Sequence, residues 1–197
     1  MSKENTSIII HAISQAKQKE FIQFLNQVST YDETLFQQHQ EFMANIGVDY
    51  AVLDIDQGLD LHLWGLPSYQ YNHTDWKELY AKSLGILFLL DIDLTDEVNN
   101  MQAILDFFRQ QKKTIIFGLS GQETITSQQI SDLSTMISVP TELLIPCNTK
   151  NLDSIKNLAS TLFNHVKKHN NICRRQKNHH SDSVEYYTNN NRKEDFF

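Results

Sequence analysis

An α/β domain built on a mostly parallel sheet is what this sequence predicts, on three observations. Leu84 to Asp91 (LGILFLLD) is an unbroken apolar run that ends on an acid. It falls short of the about 20 apolar residues needed to cross a bilayer. Its length suits a central strand covered on both faces, which reads as continuous rather than alternating. Stretches with helical spacing flank it, Thr74 to Lys82 before and Thr95 to Gln111 after. Elsewhere short β-branched or apolar runs keep alternating with helical patterns, as in a parallel sheet with helices on both faces.

The first strand is expected at Ser7 to Ile10, a β-branched run. Gln15 to Val28 follows as a helix with Phe21, Ile22, Phe24, Leu25 and Val28 at helical spacing. Ser29 to Gly47 is polar, Gln-rich and weakly patterned, a long loop. Asp49 to Asp56 and Asp60 to Trp64 are two strands joined at Gln57-Gly58, and a short Gly-containing link marks a hairpin. Gly65 to His73 is a loop. After the central strand, Thr95 is expected to cap a helix with Val98, Met101, Ile104, Leu105 and Phe108 on one face. Thr114 to Phe117 is the next strand, closed by Gly118, with a loop from Ser120 to Ser127 and a helix from Gln128 to Ile137. Leu143 to Ile145 is the last strand. Leu152 to Val166 is the last helix, with Ile155, Leu158, Leu162 and Phe163 inward. The result is a three-layer fold with a six-stranded sheet and one antiparallel edge strand. Residues 1–166 form the domain. Residues 167–197 are polar and almost free of core-forming side chains, so disorder is expected there.

Charge is uneven along the 197 residues. Met1 to Phe163 carries 20 acidic and 10 basic side chains, a net −10, whereas Asn164 to Phe197 carries 7 basic and 4 acidic, a net +3. An acidic body does not suit nucleic-acid binding. The basic tail, with Lys167, Lys168, Arg174, Arg175 and Lys177, suits a solvated extension and leaves membrane association to itself or to a partner. Cys147 and Cys173 form no disulfide framework and fit a reducing cytosol. MSKENTS has no apolar signal core, so a cytoplasmic location is expected. His11, His39, His62 and His73 lie too far apart for ligand spacing, and no metal site is expected from them.

The element order, with a hairpin between the second and third strands, resembles Ras-like small GTPases. It is most similar to the bacterial group that includes gliding-motility polarity GTPases and those paired with roadblock/LC7 proteins. Leu61 to Trp76 (LHLWGLPSYQYNHTDW) looks like that family's strand, Gly-x-Pro-Gly-Gln loop and following aromatic. Ser83 to Asp93 (SLGILFLLDID) looks like its next strand, and Leu143 to Asn151 (LLIPCNTKN) like its last strand and loop. The resemblance spans Ser7 to Val166.

The nucleotide motifs that the resemblance implies are degraded. A P-loop needs glycines so that backbone N–H groups wrap the phosphates, a Lys to neutralise them and a hydroxyl for magnesium. Ala12 to Lys19 (AISQAKQK) has no glycine, with Gln18 in place of the Lys and Lys19 in place of the hydroxyl. Lys17 or Lys19 could still reach an anion. Gly65-Leu66-Pro67-Ser68-Tyr69 puts Tyr69 at the water-orienting Gln position. The guanine-reading loop is replaced by Gly118-Leu119-Ser120-Gly121, which offers the base no carboxylate. Three sites fail together, which implies a pseudo-GTPase: no catalytic residue, no cofactor, and GTP with magnesium only if the chain is a divergent switch.

Such a protein would act by binding another protein, which the resemblance suggests is a roadblock/LC7 type or a motility or polarity complex. Trp64, Leu66, Tyr69, Tyr71 and Trp76 are the aromatic and apolar anchors expected on the surface that active relatives use. An enzymatic alternative rests on Asp91-Ile92-Asp93-Leu94-Thr95, which matches the D-x-D-x-T of haloacid-dehalogenase-like phosphatases. There the first Asp attacks phosphorus and the second is acid/base. Three strands precede it here instead of none, and no acidic pair follows to complete a magnesium site. Asp54 and Asp56 alternate on one strand and read as edge-strand charges.

Overall fold

The computed structural model describes residues 4–28, 48–56, 59–67, 77–93, 95–121 and 124–168. The chain divides into two units, Met1–Phe163 and Asn164–Phe197. Of the second, residues 164–168 are described, and they are helical. All six strands of the sheet lie in the first unit.

The elements are β1 (Glu4–Ala12), α1 (Gln15–Val28), β2 (Asp49–Asp56), β3 (Leu59–Gly65), α2 (Lys77–Lys82), β4 (Gly85–Asp91), α3 (Thr95–Gln110), β5 (Thr114–Ser120), α4 (Ser127–Ile137), a 3-10 turn (Thr141–Leu143) and β6 (Leu144–Pro146). A last helix, α5, starts at residue 152. One six-stranded sheet runs in the order β2-β3-β1-β4-β5-β6. Only β2 and β3 pair antiparallel; the other neighbours are parallel. β2 is an edge, and its exposed Asp54 sits beside a register shift between Asp54 and Asp56. Charge and a bulge both discourage edge pairing.

Because side chains alternate along a strand, the sheet has two apolar faces. Ile9, Phe88, Leu90, Phe117 and Leu119 share one with Met101, Ile104, Leu105 and Phe108 of α3 and with Leu133 and Ile137 of α4. The face of Ile8, Ile10, Leu87 and Leu89 is served by Phe21, Ile22 and Leu25 of α1 and by Ile155, Leu158 and Leu162 of α5, all buried. β4 is buried along Gly85 to Leu90, as a strand covered on both sides must be. Most of the apolar stripes expected on α1 and α3 are thus buried, but Phe24 is only half-buried and Val28 is 39% exposed. Val98 and the side chain of Thr95 lie outside the described residues, as do Gln57-Gly58 and the loop expected at Ser29 to Gly47.

Gly118 and Gly65 are both places of close approach. A Cβ on Gly118 would lie 2.7 Å from the end of the Leu158 side chain, which would have to shift, so the bare position lets β5 pass close under α5. Gly118 therefore continues β5 to Ser120 and does not close the strand, contrary to the sequence expectation. A Cβ on Gly65 would lie 3.0 Å from the Gln18 amide, so the end of β3 seats against α1. Further down the chain, Thr126 caps α4 within a reciprocal capping box with Gln129, and Arg109 Nη2 donates to the carbonyls of Ile137 (2.8 Å) and Ser138 (3.2 Å) at the other end.

Candidate functional site

β1 sits between β3 and β4: the chain leaves β1, builds the hairpin on one side, then crosses to the other. At such a switch point the carboxyl ends of the strands diverge and leave a crevice. Here it is a cleft of about 650 Å³. Its rim comes from Ser14, Lys17 and Glu20 at the start of α1, Asp91 at the end of β4, Ser120 and Gly121 after β5, and Thr149 and Lys150 after β6.

The connection from β1 to α1 is two residues, Ile13 and Ser14. Most of the stretch expected to stand where a phosphate loop would be, Ala12 to Lys19, is therefore helix. Its backbone donors are partly spent: Gln18 N–H donates to the Ser14 carbonyl at 3.1 Å, and Lys17 N–H to the Ser14 hydroxyl at 3.4 Å. Ala12 is buried at the floor. Gln18 turns away from the cleft and is buried against Gly65, without closing a hydrogen bond of good geometry. Lys19 is absent from the rim; its charge acts on Asp49 of β2. Burial holds that carboxyl above the usual carboxylate range, with Lys19 and the Gln18 amide pulling the other way. Lys17 is the lysine of that stretch that lines the cleft, and it forms an ion pair with Asp91.

Asp91 is held by its own turn. Its Oδ1 accepts the Asp93 N–H at 3.0 Å, while its Oδ2 faces Lys17. Both oxygens of the carboxylate put forward as a phosphatase nucleophile are thus engaged, and Asp93 is exposed. Among the described residues no group of three His, Cys, Asp or Glu side chains is placed to hold a metal ion. Ser120 lies beside Asp91 in register, its hydroxyl donating to the Leu90 carbonyl at 3.4 Å. Gly118 is inside β5, so of the two glycines expected at a base-reading loop only Gly121 reaches the rim. The β6 loop is braced internally. Cys147 N–H donates to Leu119 O (2.7 Å), Asn148 N–H to Ser154 Oγ (3.0 Å), and Lys150 N–H to Asn148 Oδ1 (2.9 Å). Burial pushes the Cys147 thiol above its ordinary pKa, partly offset by the Ser154 hydroxyl.

Two of the five anchors expected on a docking surface are buried. Trp64 and Leu66 are core residues, 5% and 0% exposed. The Trp64 ring lies 4.6 Å from that of Tyr50, whose hydroxyl shares a 2.6 Å hydrogen bond with His62 Nδ1. Burial, assisted by the Asp60 charge, pushes the Tyr50 phenol up to about 12. Alternation explains the correction: Tyr50, His62 and Trp64 point to the same covered face of the hairpin. Tyr69, Tyr71 and Trp76 lie outside the described residues.

Sequence reasoning missed the Lys17–Asp91 pair and the place of Lys150 on the rim. An acid ending an apolar strand was a visible signal; which cation would meet it was not. Among the described residues no helix is long and apolar enough to cross a membrane. Compared with protein-family models and with curated proteins, the sequence matches none of them.

Proposed function

We propose that this chain is a non-catalytic protein with a Ras-like arrangement of elements, which has given up nucleotide and acts by binding another protein. The observation that carries the reading is the two-residue junction between β1 and α1. Wrapping phosphates takes a run of free backbone N–H groups in a glycine-rich loop. Here helix begins at once, with Gln18 turned into the core where the family resemblance calls for a lysine. A protein that does not cycle with nucleotide has no γ-phosphate to switch its partner surface, so it acts as a constitutive adaptor. Since Trp64 and Leu66 belong to the core, the anchors assigned to the partner are Tyr69, Tyr71 and Trp76, together with the edge strand β2. The resemblance points to a roadblock/LC7-type partner or a polarity complex.

Two experiments test this. Titration with fluorescent GTP and GDP in the presence of magnesium should give no binding up to about 100 μM. Tight binding, or nucleotide retained through purification, would turn the adaptor into a switch. Separately, Tyr69→Ala combined with Tyr71→Ala should abolish capture of the partner by the full chain while leaving the thermal melt intact. Undiminished capture would move the interface elsewhere.

A further inference from the structure

We propose that Asp91 is a built-in anion, whose carboxylate holds Lys17 and keeps phosphate-bearing ligands out of the cleft. The proposal deepens the reading above and rests on the cleft not being a working nucleotide site.

The cleft has the size and polarity of a ligand site, yet its charges are balanced from within. Lys17 and Lys150 are its cations, and Glu20 and Asp91 its anions, among the described lining residues. Lys17 and Asp91 face each other across the point where β1 passes into α1 and β4 ends. Their side chains are 39% and 14% exposed, so the acid is the more deeply set partner. Asp91 is also the better anchored. Its backbone ends a strand paired on both sides, and the Asp93 N–H fixes one carboxylate oxygen, which aims the other at Lys17. Lys17 rides on a flexible stem and has one fixed carboxylate to meet.

A phosphate group entering this cleft at Lys17 finds that cation neutralised and a like charge beside it. Specificity of this kind comes from a repulsive element rather than from lost contacts. It also explains why keeping Lys17 does not restore a phosphate site. The lysine is present, but its charge is already used by the protein. Replacing Asp91 by Asn keeps the shape and an oxygen that can accept the Asp93 N–H, and removes only the charge.

The test uses the full chain and inorganic pyrophosphate, titrated by calorimetry at low salt. Asp91→Asn should bind pyrophosphate at least about tenfold more tightly than wild type, since one like charge at contact distance has been removed. The gain should vanish in Asp91→Asn with Lys17→Ala. Asp91→Ser, which also drops the charge, provides a second variant with the same expected gain, and a thermal melt confirms that each is folded. No gain in the folded variants overturns the proposal, as does a gain that survives the loss of Lys17. The two failures are distinguishable. Tight GTP binding by the wild-type chain would overturn the proposed function, and this inference with it. A wild type silent to GTP, with Asp91 variants that gain nothing, would overturn this inference alone.

Discussion

β1 and β4 lie side by side at the centre of the sheet, and each places one polar side chain near its carboxyl end, with opposite fates. His11 of β1 is fully buried, its ring centroid 5.2 Å from those of Phe88 and Phe108. Burial pulls its pKa down to about 3, and the Leu66 backbone pulls weakly the other way without closing a hydrogen bond of good geometry. Asp91 of β4 lines the cleft and meets Lys17. The difference lies in the face. His11 alternates onto the face closed by the aromatic rings of α3, where a charge has no water or counter-ion. Asp91 alternates onto the α1 face, at the point where the diverging strands leave the cleft open. What a polar residue near a strand end does is therefore decided by what covers that face.

The largest test of the comparison removes the aromatic cover. Phe88 is in register with His11 and packs against Phe117 at 5.6 Å between ring centroids. Phe88→Ala should cost about 3–5 kcal/mol in urea unfolding. A cost below about 1 kcal/mol would mean that the core closes over the gap, and the closed-face argument would fail.

A pH series sharpens the contrast. The folded His11 titrates near pH 3, whereas an unfolded His titrates near 6.5. As pH falls below 6.5 the unfolded chain takes up the proton first, so stability present above that pH is lost progressively towards pH 3. The slope is about 1.4 kcal/mol per pH unit, or about 2 kcal/mol between pH 6.5 and 5. Comparing the wild type with His11→Leu by urea unfolding across this range isolates the effect from that of the carboxylates. Parallel stability curves would mean that His11 charges in place.

The smallest effect is expected from the cleft pair. A double-mutant cycle on Lys17→Met and Asp91→Asn should return a coupling under about 1 kcal/mol, because Lys17 is partly exposed and solvent screens the pair. A coupling of several kcal/mol would place the pair in the core, and the distinction between the two strand ends would disappear.

Much of the architecture was legible in the chain itself. The continuous run at Leu84 to Asp91 could only be covered on both sides, and Phe21, Ile22, Leu25, Met101, Leu105 and Phe108 repeat at the spacing that puts them on one helix face. Places where the sequence misled are those where one residue type serves two ends. Gly118 looks like a turn and is a close approach under Leu158. Trp64 looks like an interface anchor and is a core ring against Tyr50. Thr126 with Gln129 carried a readable capping signature that starts the helix at Ser127, one residue before the expected Gln128. The cleft was harder still, because its rim is drawn from Lys17, Asp91, Ser120 and Lys150, spread across most of the domain.

Periodicity is a local property. The order of strands and helices, and which of their faces are apolar, were therefore written in the chain. Folding settled the remainder: which side of the sheet each alternating residue meets, how short the β1 to α1 junction is, and which charge Lys17 finds. Those outcomes depend on strand pairing and on which helix lies over which face, contacts between residues far apart in the chain that no local pattern encodes.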